Sequence, residues 1–380
     1  MLYVGSNVST GAPDQELQAQ GVMRDIPLVI WELGLFTIPK PAGGNGKLYI
    51  EGSFLEAGGG LQLFPVNNGF VPRWNATVGE VIHVRLLCAQ ATTGSAVYLL
   101  DEQSALVPMH VFASDGISYR QPVKKQMLVI GVGQREGVLV QFPATGVVRV
   151  MQGVINDFQG KFGDLEGPGP NSPDQPIAYF DVKAGPPPTN VDISTLTFTP
   201  GMGTKDIAPS EIESQMAVNF DVNSDLAKIP MPQFIIDGVE FDYRDIQTSV
   251  KKRTGAQWTL TSNMNYFHPF HVHVNPFQVK AMQSGYLQGS DLFTKAVIET
   301  NTVPPNMWRD TVFIPPLGSV IIWQNFGDSR NNSWTGTDRG CRACCGVLPY
   351  LCCAPCPAVV SCLAVVSVSQ CATGKTVFHC

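Results

Sequence analysis

The chain has 380 residues, which at about 150 residues per domain excludes a single small disulfide-stapled module and points to two or three domains. Charged residues make up only 15% and the formal net charge is −6, so the clustered Lys and Arg that neutralise phosphates are missing and nucleic acid is not an expected partner. The 37 glycines and 29 prolines favour short strands joined by tight turns, an all-β chain.

Residues 1–24 are polar and Gly/Gln-rich without a clear period and read as a remnant or linker. They hold neither a basic n-region nor the apolar stretch of a signal peptide, so the expectation is a chain not exported by that route or one whose true start is missing. From 25 to 183 the text is that of a β domain. In Val81–Leu86, Ile82, Val84 and Leu86 share one face while His83 and Arg85 take the other, the period-two pattern of a half-buried strand. Further apolar runs follow at 127–130, 138–142, 147–151 and 177–182, with Gly/Asp/Pro turns between them. Gly185-Pro186-Pro187-Pro188 makes 184–192 a stiff linker. The second β domain, 193–380, begins with runs at 215–220 and 234–236 and an Asp237-Gly238 hairpin signal. No helix-period segment of useful length is expected in either domain.

His268-Pro269-Phe270-His271-Val272-His273 holds half of the chain's six histidines. Strand residues two apart project to one side, so His271 and His273 reach one metal cluster, while His268, set off by Pro269 at a bend, reaches another. His379 and Cys380 are neighbours and face opposite ways on a strand, so they link two metal centres through one peptide unit. A thiolate combined with imidazoles selects copper or zinc over hard cations. His83 and His110 read as structural residues and Cys88 as a small buried hydrophobe.

At these residues the chain resembles a known family. His268–Val279, Trp308-Arg309-Asp310-Thr311 with Pro315–Ser319, and Gly374–Cys380 resemble the copper-binding C-terminal domain of multicopper oxidases, laccase-like and bilirubin-oxidase-like. Gly79–Leu87 and Ala113–Gly116 resemble that family's middle domain. The resemblance implies two cupredoxin-like (plastocyanin-like) Greek-key β-sandwich or barrel domains and copper as cofactor. It implies His268 and Cys380 as ligands of a type 1 copper, His271 of a type 2 copper, and His273 and His379 of a type 3 pair. The implied function is one-electron oxidation of a small-molecule or metal-ion substrate coupled to reduction of dioxygen to water, in an extracellular or secretory-pathway protein. No side chain is expected to act as a catalytic acid or base.

The chain also departs from the family's pattern. No His-x-His pair precedes His271, and nothing follows Cys380, so the chain is expected to be truncated at both ends and inactive as it stands. The alternative is a non-catalytic copper-binding cupredoxin pair; a zinc site at His268, His271 and His273 is a third reading. Residues 329–373 form an atypical insertion that holds eight of the ten cysteines and is uncharged from Ala343 to Gly374. It reads as a zinc or iron–sulfur knuckle, a membrane span, a disulfide-rich loop or a translated intervening sequence. The last is preferred, because Asp328 and Thr373 would otherwise join in a normal turn. Pro349, Pro355 and Pro357 crowd a span, so membrane association is not expected. Trp308-Arg309-Asp310 reads as a structural charge pair beside the copper domain. The sequons at Asn7, Asn75 and Asn331 support export only weakly.

Overall fold

The computed structural model describes residues 13–326, apart from 32, 38–47, 52–60, 68, 91–93, 156–173, 201–205, 224–232, 241–247, 252–253, 265–266, 274–275, 291 and 305, together with strands 367–370 and 375–379. Most of the Cys-rich stretch, Cys380 and the sequons at Asn7 and Asn331 lie outside the described residues.

Two β-sandwich units follow one another. In the first, one sheet has the order 24–31, 81–89, 135–141, 109–114, 117–125, and the facing sheet 127–130, 94–100, 146–155, 175–183, 73–77. Ile82, Val84 and Leu86 point between these sheets and pack with Val97, Leu99, Val138, Val140, Phe142 and Phe180. Neighbours in the sheets are mostly antiparallel, but 24–31 lies parallel to 81–89 and 73–77 parallel to 175–183. Such returns of a distant strand beside an early one mark Greek-key connectivity. In the second unit the main sheet runs 233–236, 212–223, 255–262, 318–325, 277–284, 308–309. Its core is aromatic, with Phe220, Trp258, Phe270, Phe277 and Phe326 all essentially inaccessible.

Strand Val81–Ala89 lies inside its sheet, between 24–31 and 135–141, and its second face is covered as well. Leu17 of the helix Pro13–Ala19, with Val191, Ile193, Leu196 and Phe198 of the chain after the proline stretch, packs there on Val81, Phe112 and Leu139. His83 is therefore buried, edge-on to Phe112 at 4.9 Å and with Nδ1 3.4 Å from Asp25. The outward-facing histidine of the sequence reading is thus a core one, because alternation reports two faces but not what covers the second. Cys88 is fully buried in the sandwich core, as expected.

The sequence pattern predicts no helix of useful length, yet Leu292–Thr302 is an eleven-residue helix. It lies between the two units. Ala296 and Val297 join Phe267 and Phe313 of the second sandwich and Ala96 and Val129 of the first in one apolar cluster. Thr300 Oγ1 accepts from Val129 N at 3.1 Å, and Asn301 Oδ1 accepts from Gln134 Nε2 at 3.0 Å. Among the described residues no helix is long and apolar enough to cross a membrane.

Candidate metal centre

His268–His271 is a continuous strand, paired antiparallel with Thr311–Ile314 so that His268 faces Ile314 and His271 faces Thr311 across the ladder. No bend at Pro269 separates the histidines. The separation comes from parity, since residues three apart on a strand point to opposite sides. His268 shares the inner side with Phe270; it is 4% exposed and its ring centroid lies 4.6 Å from that of Phe220. Its Nδ1 has no hydrogen-bond partner among the described residues. Burial away from compensating charge pushes its pKa down to about 4, so the ring is neutral with a lone pair to offer.

His271 takes the other side and meets His273, with ring centroids 4.8 Å apart. Its Nδ1 lies 2.9 Å from the carbonyl oxygen of Asp310 and 3.0 Å from Thr311 Oγ1. The three imidazoles thus fall into one buried singleton and one adjacent pair. His379 ends the strand Lys375–His379, which pairs with Thr248–Ser249 and Ser367–Gln370. Cys380 is outside the described residues. Among the described residues no group of three or more His, Cys, Asp or Glu side chains closes round a metal position. A neutral buried imidazole with an unpartnered nitrogen, and a pair in which His271 is anchored through Nδ1, nonetheless have the chemistry of imidazole donors to copper.

Beside the pair lies a buried charge network spanning both sandwiches, legible in the sequence only at Trp308-Arg309-Asp310. Arg309 is fully buried and donates to Glu136, Ser114 Oγ and the carbonyl of Thr300. Its charge partners are Glu136 and, at 3.9 Å, Asp115, both of the first sandwich, and not neighbouring Asp310. Arg135 grips the Asp310 carboxylate with both terminal nitrogens, Nη1 to Oδ1 at 2.8 Å and Nη2 to Oδ2 at 2.6 Å. Asp115, at positive φ in the turn before Gly116, accepts from the backbone N–H of Thr311 at 3.0 Å and of Asp310 at 3.3 Å. Burial pushes the Asp115 and Glu136 carboxyls up against the pull of the arginines. Burial also opposes ionisation of Asp310, but hydrogen bonds from His271 and Arg135 outweigh it and hold that carboxyl below the usual range. The signals for these partners were the Asp115-Gly116 turn and the Arg135-Glu136 pair, neither of which reveals from sequence that it faces Asp310.

The multicopper oxidase family model matches residues 211–334. No curated protein sequence matches the chain. Among solved structures it is similar to the 2F4 variant of the McoA multicopper oxidase from the hyperthermophile Aquifex aeolicus, with a TM-score of 0.60 and 18% identity over 83% of this chain and 63% of that one. It is also similar to the laccase-like multicopper oxidase CueO from the lignin-degrading bacterium Ochrobactrum sp., with a TM-score of 0.56, 19% identity and coverage of 82% and 63%. A third is a metallo-oxidase from Campylobacter jejuni, with a TM-score of 0.55, 14% identity and coverage of 81% and 59%. At such identities the likeness is one of fold, the tandem cupredoxin-like sandwiches expected from the sequence, and this chain spans less than two thirds of each of those proteins. The family model is thus matched within the second sandwich, while along most of its length the chain shares the fold of multicopper oxidases.

Proposed function

We propose that this chain provides the middle and C-terminal domains, 25–183 and 193–380, of a copper oxidase that couples one-electron oxidation of a small-molecule or metal-ion substrate to reduction of dioxygen. His268 and Cys380 would hold a mononuclear copper, and His271, His273 and His379 part of a separate cluster. The observation that carries this reading is the parity split, which puts His268 on one side of the strand and His271 on the other, where His271 meets the ring of His273 just beyond the strand end. Copper would supply the redox chemistry. The residues of this chain keep His268 dry and neutral and anchor the His271 ring. With only six histidines and no His-x-His pair before His271, the chain by itself is expected to bind copper without turning over.

Copper(II) titration of the purified chain with metal analysis tests this. The expected result is copper held through histidine, lost on combining His271→Ala with His273→Ala, with neither a blue thiolate absorption nor oxygen uptake. Stoichiometric zinc in its place, or no retained metal, would sink the proposal. The resemblance also favours the secretory pathway. Asn75 is exposed on strand Arg73–Thr77, so material from a eukaryotic secretory host should shift in mobility on endoglycosidase treatment, and an unshifted band would count against glycosylation there.

A further inference from the structure

His271 Nδ1 faces the Asp310 carbonyl and the Thr311 hydroxyl and lies 3.4 Å from Oδ1 of the Asp310 carboxylate, and these groups differ in what they can do. A carbonyl oxygen only accepts, so the 2.9 Å contact with Asp310 O puts the proton on Nδ1 and leaves the Nε2 lone pair unprotonated. Ring orientation and tautomer therefore depend on where the Asp310 carbonyl and the Thr311 hydroxyl sit. Part of that is local: Val272 N donates to the same carbonyl at 2.9 Å, and Thr311 Oγ1 donates to Asp310 Oδ1 at 2.7 Å, turning a lone pair toward His271.

The remainder comes from the other sandwich. Arg135 holds the Asp310 carboxylate by a two-pronged contact, and the Asp115 carboxylate holds the N–H groups of Asp310 and Thr311. Both grips are preset by mutual contacts: Arg135 N donates to Asp115 Oδ1 at 3.1 Å, Asp115 N to Arg135 O at 2.7 Å, and Arg135 Nη2 to Asp115 O at 3.1 Å. Asp115 lies in the turn after strand Met109–Ser114, and Arg135 opens strand Arg135–Gln141. We infer that the first sandwich, which supplies none of the candidate ligands, sets the tautomer and ring plane of His271 through Asp115 and Arg135, acting as positioning residues for an imidazole in the second sandwich. The inference rests on the proposed role of His271 as a copper ligand for its purpose, but not for its geometry.

The test uses the full chain, selectively 15N-labelled at histidine and metal-free, read on the alkaline plateau of the ring 15N shifts. In the wild type the ring 15N shifts of His271 should report the Nδ1–H form. Arg135→Gln should give a mixture with the Nε2–H form, Thr311→Val should do so to a smaller degree, and Arg135→Lys should lie between Gln and wild type. Copper(II) affinity at the His271 site should fall about 10- to 100-fold in Arg135→Gln. Arg73→Gln, which breaks an exposed ion pair with Asp181 on the outer sheet, should change neither readout.

Folded Arg135→Gln protein with an unchanged tautomer would overturn the inference, as would an unchanged tautomer in Asp115→Asn, which weakens the grip on the Asp310 and Thr311 N–H groups, should the arginine variant fail to fold. A wild type that binds no copper would sink the proposed function alone, because the tautomer is read without metal.

Discussion

Single residues at the seam between the sandwiches leave little slack. A Cβ at Gly131 would lie 2.4 Å from Phe313 Cδ2, and one at Gly94 2.8 Å from Phe313 Cε1. The ring has nowhere to retreat, since it stacks on Phe267 at 4.5 Å. Gly131→Ala is expected to destabilise the protein by about 1–3 kcal/mol, as overpacking does, measured as a lower urea midpoint; Gly133→Ala, with nothing near its Cβ but φ +80, separates strain in the backbone from crowding. Glu136→Gln removes the carboxylate facing a fully buried guanidinium and should cost about 3–5 kcal/mol. A loss below about 1 kcal/mol would mean that the other acceptors of Arg309 suffice. His268, His271 and His273 were legible in the sequence as a cluster because their spacing is local. Asp115 and Arg135 were not legible as their neighbours, because no period or motif records a contact across nearly 200 positions.

Among the elements, the helix Leu292–Thr302 went unread for a physical reason. Its buried side is Thr294, Ala296, Val297, Thr300 and Asn301, and Thr300 and Asn301 are buried because they bond across the seam rather than because they are apolar. A hydrophobic period cannot show such a face. The strands were legible wherever one side meets the core, as at Ile82, Val84 and Leu86, and misread where the second side is covered by distant chain, as at His83. The helix is closed by Lys125 from the first sandwich, whose Nζ donates to Glu299 O at 2.6 Å and Val303 O at 3.4 Å, a cation at the negative end of the helix dipole. Burial lowers the Lys125 pKa from 10.5 to about 8. Between those values the unfolded chain holds a proton that the folded one has released, so the stability contributed by this group rises with pH. Below pH 8 both states are protonated and the folded one bears the full desolvation cost. Relative to Lys125→Met, the wild type should therefore gain up to about 3 kcal/mol between pH 8 and 10.5, read from urea unfolding at the two ends. A gap that is flat or shrinks with pH would contradict the assignment.

At the scale of the whole molecule, the apolar cluster around Phe313 and the buried network around Arg309 tie the sandwiches together through cores rather than rims. The two units should unfold in one cooperative transition, with tryptophan fluorescence and far-UV circular dichroism coincident in urea. Asp115→Asn, which weakens the shared network, should pull the two curves apart, and separate transitions in the wild type would contradict the coupling. The fold class was legible here because the strand period and the turn residues point the same way. The seam was not, because its charges are balanced only when both halves are present. That balance has a consequence for inheritance. Arg309 and its countercharge Glu136 are encoded far apart, on either side of the Pro-rich stretch at 185–188, where recombination between related genes would least disturb either sandwich. A crossover there that brought in a partner lacking the matching carboxylate would strand a buried cation, so the two positions should travel together, and the second sandwich is not a freely exchangeable cassette.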